Sequence, residues 1–223
     1  MAIAFDAVSS STNWDGNTTF SHTVGAGNNR LLLVTIVLFD SRTVDYCRYD
    51  GVDMTLLSRR SAIGGGAYAT TTYYMISPPV GTANITIAVN TTGLNSMSGA
   101  VSLNGVSSVT PLGTPVFEQT LGGVTSHSTD IVTTYTNSWI YELELALLNP
   151  SSDITQDSGQ TVRVDQLGSN FNMTLDLATD ETTTPGTYSQ AFSLNPAVDY
   201  AMHYLVEVND FDSINSNNNL MYY

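Results

Sequence analysis

The sequence feature that most constrains the fold is an unbroken apolar run at residues 31–39, LLLVTIVLF. It is rich in β-branched residues, and the turn-forming pairs Asn28-Asn29 and Asp40-Ser41 lie on either side of it. A short, continuous apolar run between turn signals predicts a strand that is buried on both faces. We therefore expect a core that is organised around this strand.

The residues that follow predict a second strand and a tight turn. Side chains at residues 43–49 alternate between two sides, as expected of a strand with one buried face. Asp50-Gly51 then permits a tight turn into a third strand at residues 52–57, because glycine readily adopts positive φ.

The rest of the chain predicts about a dozen short strands with no helical periodicity, which is typical of an antiparallel, two-sheet β-sandwich. Residues 58–66, with a triple glycine, and residues 111–123 are interpreted as irregular connections. We expect one sandwich domain at residues 1–208 and a polar arm at residues 209–223. The further predicted strands are residues 3–8, 18–24, 67–77, 84–89, 97–103, 131–135, 139–148, 161–167, 171–177, 187–194 and 200–208.

The charge balance argues against nucleic-acid binding. There are 20 acidic and 6 basic residues, no lysine, and a formal net charge of -14. Such a chain repels nucleic acid and anionic membranes at long range. Charged residues make up only 12% of the chain, about half the globular average of about 25%. Its polar residues are instead largely Thr, Ser, Asn and Gly, a composition typical of extracellular and virion β proteins.

Cysteine content and the N-terminal residues bear on localisation. Cys47 is the sole cysteine, so no intrachain disulfide forms, and its place in a strand favours a buried thiol. The first residues lack the charged and apolar regions of a signal peptide, and no stretch approaches the roughly 20 apolar residues of a membrane span. These features suit a phage protein that assembles in the host cytoplasm and reaches the exterior on lysis.

Eight stretches of turn and core residues follow one another along the chain: TFSHTV (19–24), NRLLLV (29–34), YDGV (49–52), YMISPPVGTA (74–83), LNGV (103–106), TPLG (110–113), SQAFSL (189–194) and YAMHYLVEV (200–208). In this order they resemble a widespread β-sandwich module of phage virion proteins and bacterial extracellular proteins. The resemblance implies a sandwich fold, sometimes jelly-roll-like, and a displayed or adhesive role. The matching residues are mostly turn and core residues, so it implies no catalytic group. The absence of lysine and the arm after Asn209 depart from the module.

The residue types that most often carry chemistry show no strong motif. The three histidines, His22, His127 and His203, lack metal-ligand spacing and are predicted to be structural, so we expect no metal and no cofactor. Glu142 and Glu144 project from one face of a strand. Paired carboxylates can hydrolyse glycosides, but a solvated outer face is the interpretation that we favour.

Two acidic groups allow calcium as an alternative, but neither has the register of a calcium loop, so acidic loops without metal are favoured. The two groups are Asp176, Asp180 and Glu181, and Asp153 and Asp157.

Four aromatic residues are candidates for sugar stacking, because carbohydrate modules place aromatic faces against sugar rings. The alternative is that the same residues fill a core or a subunit interface. The four residues are Trp14, Tyr68, Tyr73 and Tyr74.

The sequence therefore predicts a non-enzymatic structural protein on the virion surface of a tailed phage, as a capsid decoration (cement) protein. Its partners would be the major capsid protein, other virion proteins and further copies of itself, for example as a trimer, with no nucleic acid and no membrane. A tail or fibre component, or a carbohydrate-binding adhesive module, is the alternative. The candidate contact residues are Arg59, Arg60, Leu220, Met221, Tyr222 and Tyr223.

Overall fold

A computed structural model describes residues 2–13, 17–39, 42–63, 68–91, 95–147, 153–168 and 173–211. Within these ranges no helix is long and apolar enough to cross a membrane. The described residues form fifteen strands. They are β1 (Ala4–Asn13), β2 (Thr18–Val24), β3 (Leu31–Phe39), β4 (Val44–Tyr49), β5 (Val52–Asp53), β6 (Thr55–Ile63), β7 (Tyr68–Ile76), β8 (Gly81–Val89), β9 (Ser96–Asn104), β10 (Val116–Thr133), β11 (Trp139–Leu147), β12 (Asp153–Gln156), β13 (Thr161–Gly168), β14 (Met173–Glu181) and β15 (Gly186–Val208).

The strands are arranged in three antiparallel sheets. The central sheet has the order β1-β9-β3-β7-β6, and the small sheet has the order β2-β8-β4-β5. The large sheet has the order β10-β15-β11-β14-β13, and β12 pairs with β15 beside this path. The antiparallel β-sandwich predicted from the sequence is confirmed, and the structure adds a third sheet to the two expected.

Strand β3 explains why the central sheet is covered on both sides. Leu32 and its alternate neighbours pack against the small sheet, in a cluster with Cys47 and Ile85. Leu33 and its alternate neighbours pack against the large sheet, in a cluster with Leu143. Successive side chains of a strand point to opposite faces, so one apolar run supplies two cores. The predicted burial of this strand on both faces is confirmed.

A long, bent pair of antiparallel strands closes the far side of the large sheet. Strands β10 and β15 pair on both sides of a double register shift between Leu121 and Ser126, where Gly122 and Gly123 both have positive φ. One half of β15 pairs with β11, while the other half pairs with β12. The β10 and β15 segments at residues 124–133 and 186–194 thereby form a cover over the outer face of β11 and β14.

Three of the predicted boundaries differ most from the structure, each because long-range pairing continues through a local turn signal. Residues 55–63, expected in part as a loop, form β6 paired with β7. Residues 116–123, expected as irregular, belong to β10. The two strands expected at 187–194 and 200–208 form one strand, β15.

The end of the sandwich extends slightly beyond β15. Asn209 and Asp210 are buried, and Asp210 forms an isolated bridge with Val106. The predicted arm from residue 212 onward lies outside the described residues.

Candidate functional site

The outer face of β11 carries two carboxyl groups in a buried position. Tyr141 and Leu143 face the central sheet, so Glu142 and Glu144 face the opposite way. Both glutamates have 0% exposure because the cover closes over them. The prediction that they share a face is confirmed, and the prediction that this face is solvated is wrong.

Strand register brings a third carboxyl group and a histidine beside Glu144. Asp176 on β14 lies opposite Glu144 on one side, and His203 on β15 lies opposite it on the other. Side chains of directly opposed residues share a face, so the three form a row across three strands. Glu142 lies next to this row, with Oε2 3.3 Å from His203 Nε2. We call these four residues the buried cluster.

Two glutamines, from the part of the chain between β11 and β13, donate hydrogen bonds to these carboxyl groups. Gln156 Nε2 donates to Glu144 Oε2 at 2.6 Å and to Asp176 Oδ2 at 2.7 Å. Gln160 Nε2 donates to Glu142 Oε2 and, at 3.3 Å, to Glu144 Oε1. Each amide therefore links two carboxyl groups.

Aromatic rings of the cover complete the enclosure. The Phe192 ring lies 5.2 Å from the His203 ring, and the His127 ring lies 5.9 Å from it, both edge to face. On one side of the buried cluster is an apolar group that includes Val124, Phe192 and Ala146. A second apolar group on β10, β11 and β15 contains Ile131, Ile140 and Leu205.

This environment disfavours charge on every member of the buried cluster. Burial raises the pKa of Glu142 to about 8 and that of Asp176 to about 7. Burial and the neighbouring Glu142 raise the pKa of Glu144 well above its usual range. Burial lowers the pKa of His203 to about 3. The contact between Glu142 and His203 is therefore a hydrogen bond between neutral groups and not an ion pair.

The enclosed polar groups are not all satisfied by protein partners. Glu142 Oε1, Asp176 Oδ1, His203 Nδ1 and Gln160 Oε1 are buried and have no hydrogen-bond partner among the described residues. A buried polar atom left in this state costs about 1–3 kcal/mol. Four such atoms in one small region need partners that the described residues do not supply, such as ordered water or an ion.

Sequence reasoning missed this assembly because its members are distant in the chain. The spacing of His203 from the other histidines and the apolar residues beside it predict a structural histidine, and Asp176 lies near Asp180 and Glu181 in the sequence. One local signal was available. On the face of β11 that carries both glutamates, Ile140 and Ala146 lie at the two ends, and apolar ends are unusual for a solvated face.

The aromatic residues proposed for sugar stacking fall mostly in cores. Tyr68 has 0% exposure and Tyr73 has 8%, so neither ring presents a face to solvent. Tyr74 is half-buried against the core between the central and large sheets. The alternative that these residues fill a core is confirmed for Tyr68 and Tyr73. Trp14 lies outside the described residues.

Two of the proposed contact residues lie within the described part of the chain, and four lie outside it. Arg59 and Arg60 are exposed, and they lie on strand β6 instead of the loop predicted there. The other four, Leu220, Met221, Tyr222 and Tyr223, lie outside the described residues.

A separate buried histidine links the central and small sheets. His22, with 1% exposure, contacts Ser9 Oγ through Nδ1 at 2.8 Å and Ser102 Oγ through Nε2 at 3.1 Å. The Ser102 hydroxyl donates to Asp6 Oδ2 at 2.7 Å, so it accepts from His22 Nε2–H. The contacts thus match a neutral imidazole, and the predicted structural role of His22 is confirmed.

We expect stability to fall as the pH drops through the titration range of His22. Burial lowers its pKa to about 4, against the opposing effect of Asp6, while an unfolded histidine has a pKa of about 6.5. Between these values the unfolded chain binds a proton that the folded chain does not, so stability is full above this window and is lost as the pH falls through it.

Thermal melting of the wild type and of His22→Gln, measured across this pH window, tests the expectation. The other titratable groups that contact His22 or its network, Asp6 and Tyr49, are common to both proteins. The variant is expected to lose less melting temperature on acidification than the wild type. Parallel curves would contradict the assignment to His22.

The fold and the site together define an antiparallel β-sandwich of stacked sheets that encloses a carboxylate and histidine cluster. No protein-family model matches the sequence, and no curated protein matches it.

Three solved structures have low similarity to this chain. The STIV MCP has a TM-score of 0.30 at 8% identity, covering 94% of this chain and 98% of that chain. The major capsid protein P2 from bacteriophage PM2 has a TM-score of 0.25 at 10% identity, covering 92% and 96%. A candidate secreted protein from Eubacterium rectale has a TM-score of 0.22 at 11% identity, covering 91% of this chain and 74% of that chain. TM-scores this low do not establish a shared topology or a shared function.

Proposed function

We propose that this protein is a non-enzymatic structural protein of a tailed-phage virion, and specifically a capsid decoration protein. The observation that carries the proposal is the exposed edge strand β6, which borders a sandwich with two packed cores. An edge strand offers unpaired backbone groups to another chain. A rigid sandwich with such an edge is suited to bridging neighbouring subunits of a lattice.

The side chains of β6 add apolar surface and positive charge to this edge. Leu56 is 51% exposed, and Arg59 and Arg60 are exposed. A groove of about 410 Å³ adjoins the start of the strand and is lined in part by Val52 and Ile76, both exposed. The β6 edge, meaning residues 55–61 with this groove, is therefore the candidate contact surface.

Charge favours a second copy of the chain as one partner of the β6 edge. Two of the six basic residues lie here, and the whole chain carries -14. A positive edge on an acidic molecule is complementary to the acidic surfaces of its own copies. Closed cyclic association would cover the edge in every copy, which limits open-ended aggregation.

Burial argues against a glycosidase that uses Glu142 and Glu144. A polysaccharide must reach both carboxyl groups, yet each has 0% exposure beneath the cover. Glycan stacking is also less favoured, because Tyr68 and Tyr73 are buried. A tail or fibre location is the alternative within the virion class.

Particles purified from the source test the proposed function directly. Nuclease-treated, gradient-purified virions would be analysed by mass spectrometry for this chain and by cryo-electron microscopy for its position. We expect many copies on the head lattice. Density confined to the tail would overturn decoration in favour of a fibre role, and absence of the chain from particles would overturn the virion function.

Self-association through the β6 edge predicts that charge reversal will dissociate the oligomer. The wild type is expected to be oligomeric by light scattering coupled to size exclusion, and the double variant Arg59→Glu/Arg60→Glu is expected to be monomeric. Arg59→Lys/Arg60→Lys is the matched control, because it changes the same two positions and keeps their positive charge. A monomeric wild type, or an oligomeric double variant, would contradict this contact.

A further inference from the structure

The buried cluster holds more carboxyl groups than its protein partners can neutralise. Glu142, Glu144 and Asp176 accept hydrogen bonds from the neutral amides of Gln156 and Gln160. The chain contains no lysine. Buried carboxylates are normally paired with a cation or coordinate a metal. The amides carry no positive charge, so these buried groups can ionise only when an external cation neutralises them.

The geometry of three side chains converges at one point. One ligand atom each from Glu142, Glu144 and His203 can be chosen so that all lie within 4.8 Å of one another. All three residues lie on β11 and β15, which are paired along their whole contact. Adjacent, fully paired strands hold these ligand atoms in place without any loop movement.

Unpartnered atoms provide an observation independent of that convergence. Glu142 Oε1 and His203 Nδ1 have no hydrogen-bond partner among the described residues, and both side chains have 0% exposure. Asp176 Oδ1, on the strand next to Glu144, is in the same state. Native proteins rarely leave such atoms unsatisfied, and an ion is one of the standard explanations.

We propose that Glu142, Glu144 and His203 bind a divalent transition-metal ion of the zinc class. Two carboxylates and a neutral imidazole balance the charge of a dication. Three protein ligands from two adjacent strands leave one position of a tetrahedral zinc site for a water molecule. This inference does not depend on a virion function.

The donor set favours zinc over the harder cations. Calcium takes six to eight oxygen ligands and magnesium keeps several waters, whereas this site contains an imidazole and is enclosed by apolar groups. Imidazole suits zinc and its neighbours in the transition series. The aromatic rings of Phe192 and His127 beside His203 also limit access of water.

The role that follows is stabilisation of the large sheet and its cover. The ion would join β11 and β15, while Gln156 and Gln160 bind the same carboxyl groups from outside that sheet face. Loss of the ion would remove the bonds that join the two strands and would leave the carboxyl groups to be protonated, so metal removal is expected to weaken the folded state.

Metal content and binding of the full chain test the proposal. After treatment with EDTA and dialysis, zinc chloride is titrated by calorimetry and bound zinc is counted by mass spectrometry. We expect one zinc per chain and a higher melting temperature with zinc. Glu142→Gln, Glu144→Gln and His203→Gln are each expected to weaken zinc binding by more than tenfold. Glu181→Gln, an exposed position on β14, is the matched control and is expected to bind as the wild type does.

A second measurement keeps the test valid if a variant fails to fold. Cobalt chloride added to the metal-free wild type is expected to give the visible absorption bands of a four-coordinate site, and zinc is expected to abolish them. No stoichiometric zinc and no cobalt bands would overturn the proposal. Zinc binding that is unchanged in folded cluster variants would place the ion elsewhere and would overturn it as well.

Discussion

Replacing Leu33 by alanine is expected to lower the free energy of unfolding by about 2–5 kcal/mol, and replacing its neighbour Leu32 is expected to cost about as much. Both side chains have 0% exposure. Leu33 packs against the large sheet and Leu32 against the small sheet. Each substitution therefore leaves a cavity in a different core.

Urea denaturation of the two variants measures these losses, provided that the slope of the free energy of unfolding against urea concentration is the same as in the wild type. Leu121→Ala is the matched control, because Leu121 is 58% exposed and its loss is expected to stay within about 0.5 kcal/mol. In a two-layer sandwich only one side of β3 would be packed. A near-neutral result for either Leu32 or Leu33 would contradict the three-sheet arrangement.

The burial of β3 could be predicted from sequence because it depends on a local property. An apolar run between turn signals has to be covered on both faces wherever it lies. The identity of the two covering layers could not be predicted, because the small sheet unites β2, β4 and β8 from distant parts of the chain. The sequence thus indicated two buried faces without showing that a third sheet covers one of them.

The pairing of β10 with β15 shows how local signals mislead. Gly122-Gly123 and Pro196 are typical of chain breaks, so the sequence predicts an irregular connection that ends at Gly123 and two separate strands on either side of Pro196. In the structure the two bends lie close to one another in the paired strands, where Val124 pairs with Val198, and pairing resumes beyond them. A bend that two paired strands share does not end either strand.

The same bend determines whether the candidate site is buried. The alternation of β11 places Glu142 and Glu144 on one face, and that much follows from strand geometry alone. Whether water reaches this face depends on the cover at residues 124–133 and 186–194, which is positioned by the bend that β10 and β15 share. Because the bend was not predicted, the burial of both glutamates and the convergence of His203 and Asp176 were not predicted either.

A second large effect is expected at Glu207, a buried glutamate whose hydrogen bonds are satisfied by the protein. Its side chain, 3% exposed, accepts hydrogen bonds from the backbone N–H groups of Thr134 and Tyr135 at 2.8 and 3.0 Å. The hydroxyl groups of Thr134 and Ser138 donate to it at 2.9 Å each. The carboxylate thereby holds the turn between β10 and β11.

Glu207→Ala is expected to lower the free energy of unfolding by about 3 kcal/mol or more. The two backbone donors cannot turn away, and each buried, unsatisfied donor costs about 1–3 kcal/mol. Glu207→Gln is expected to lose less stability, because the glutamine side chain has nearly the same shape and keeps one acceptor oxygen. Denaturant unfolding of both variants measures the order of these losses.

The matched control is Glu181→Ala, which removes an exposed carboxylate and is expected to change stability by no more than about 0.5 kcal/mol. Amide hydrogen exchange adds a local readout, since protection of the Thr134 and Tyr135 amides is expected to fall in Glu207→Ala. Equal stability of Glu207→Ala and Glu181→Ala would mean that solvent replaces the carboxylate at this turn. The two backbone N–H groups would then not be left without an acceptor. The turn would be held by the pairing of β10 and β11 with β15 alone.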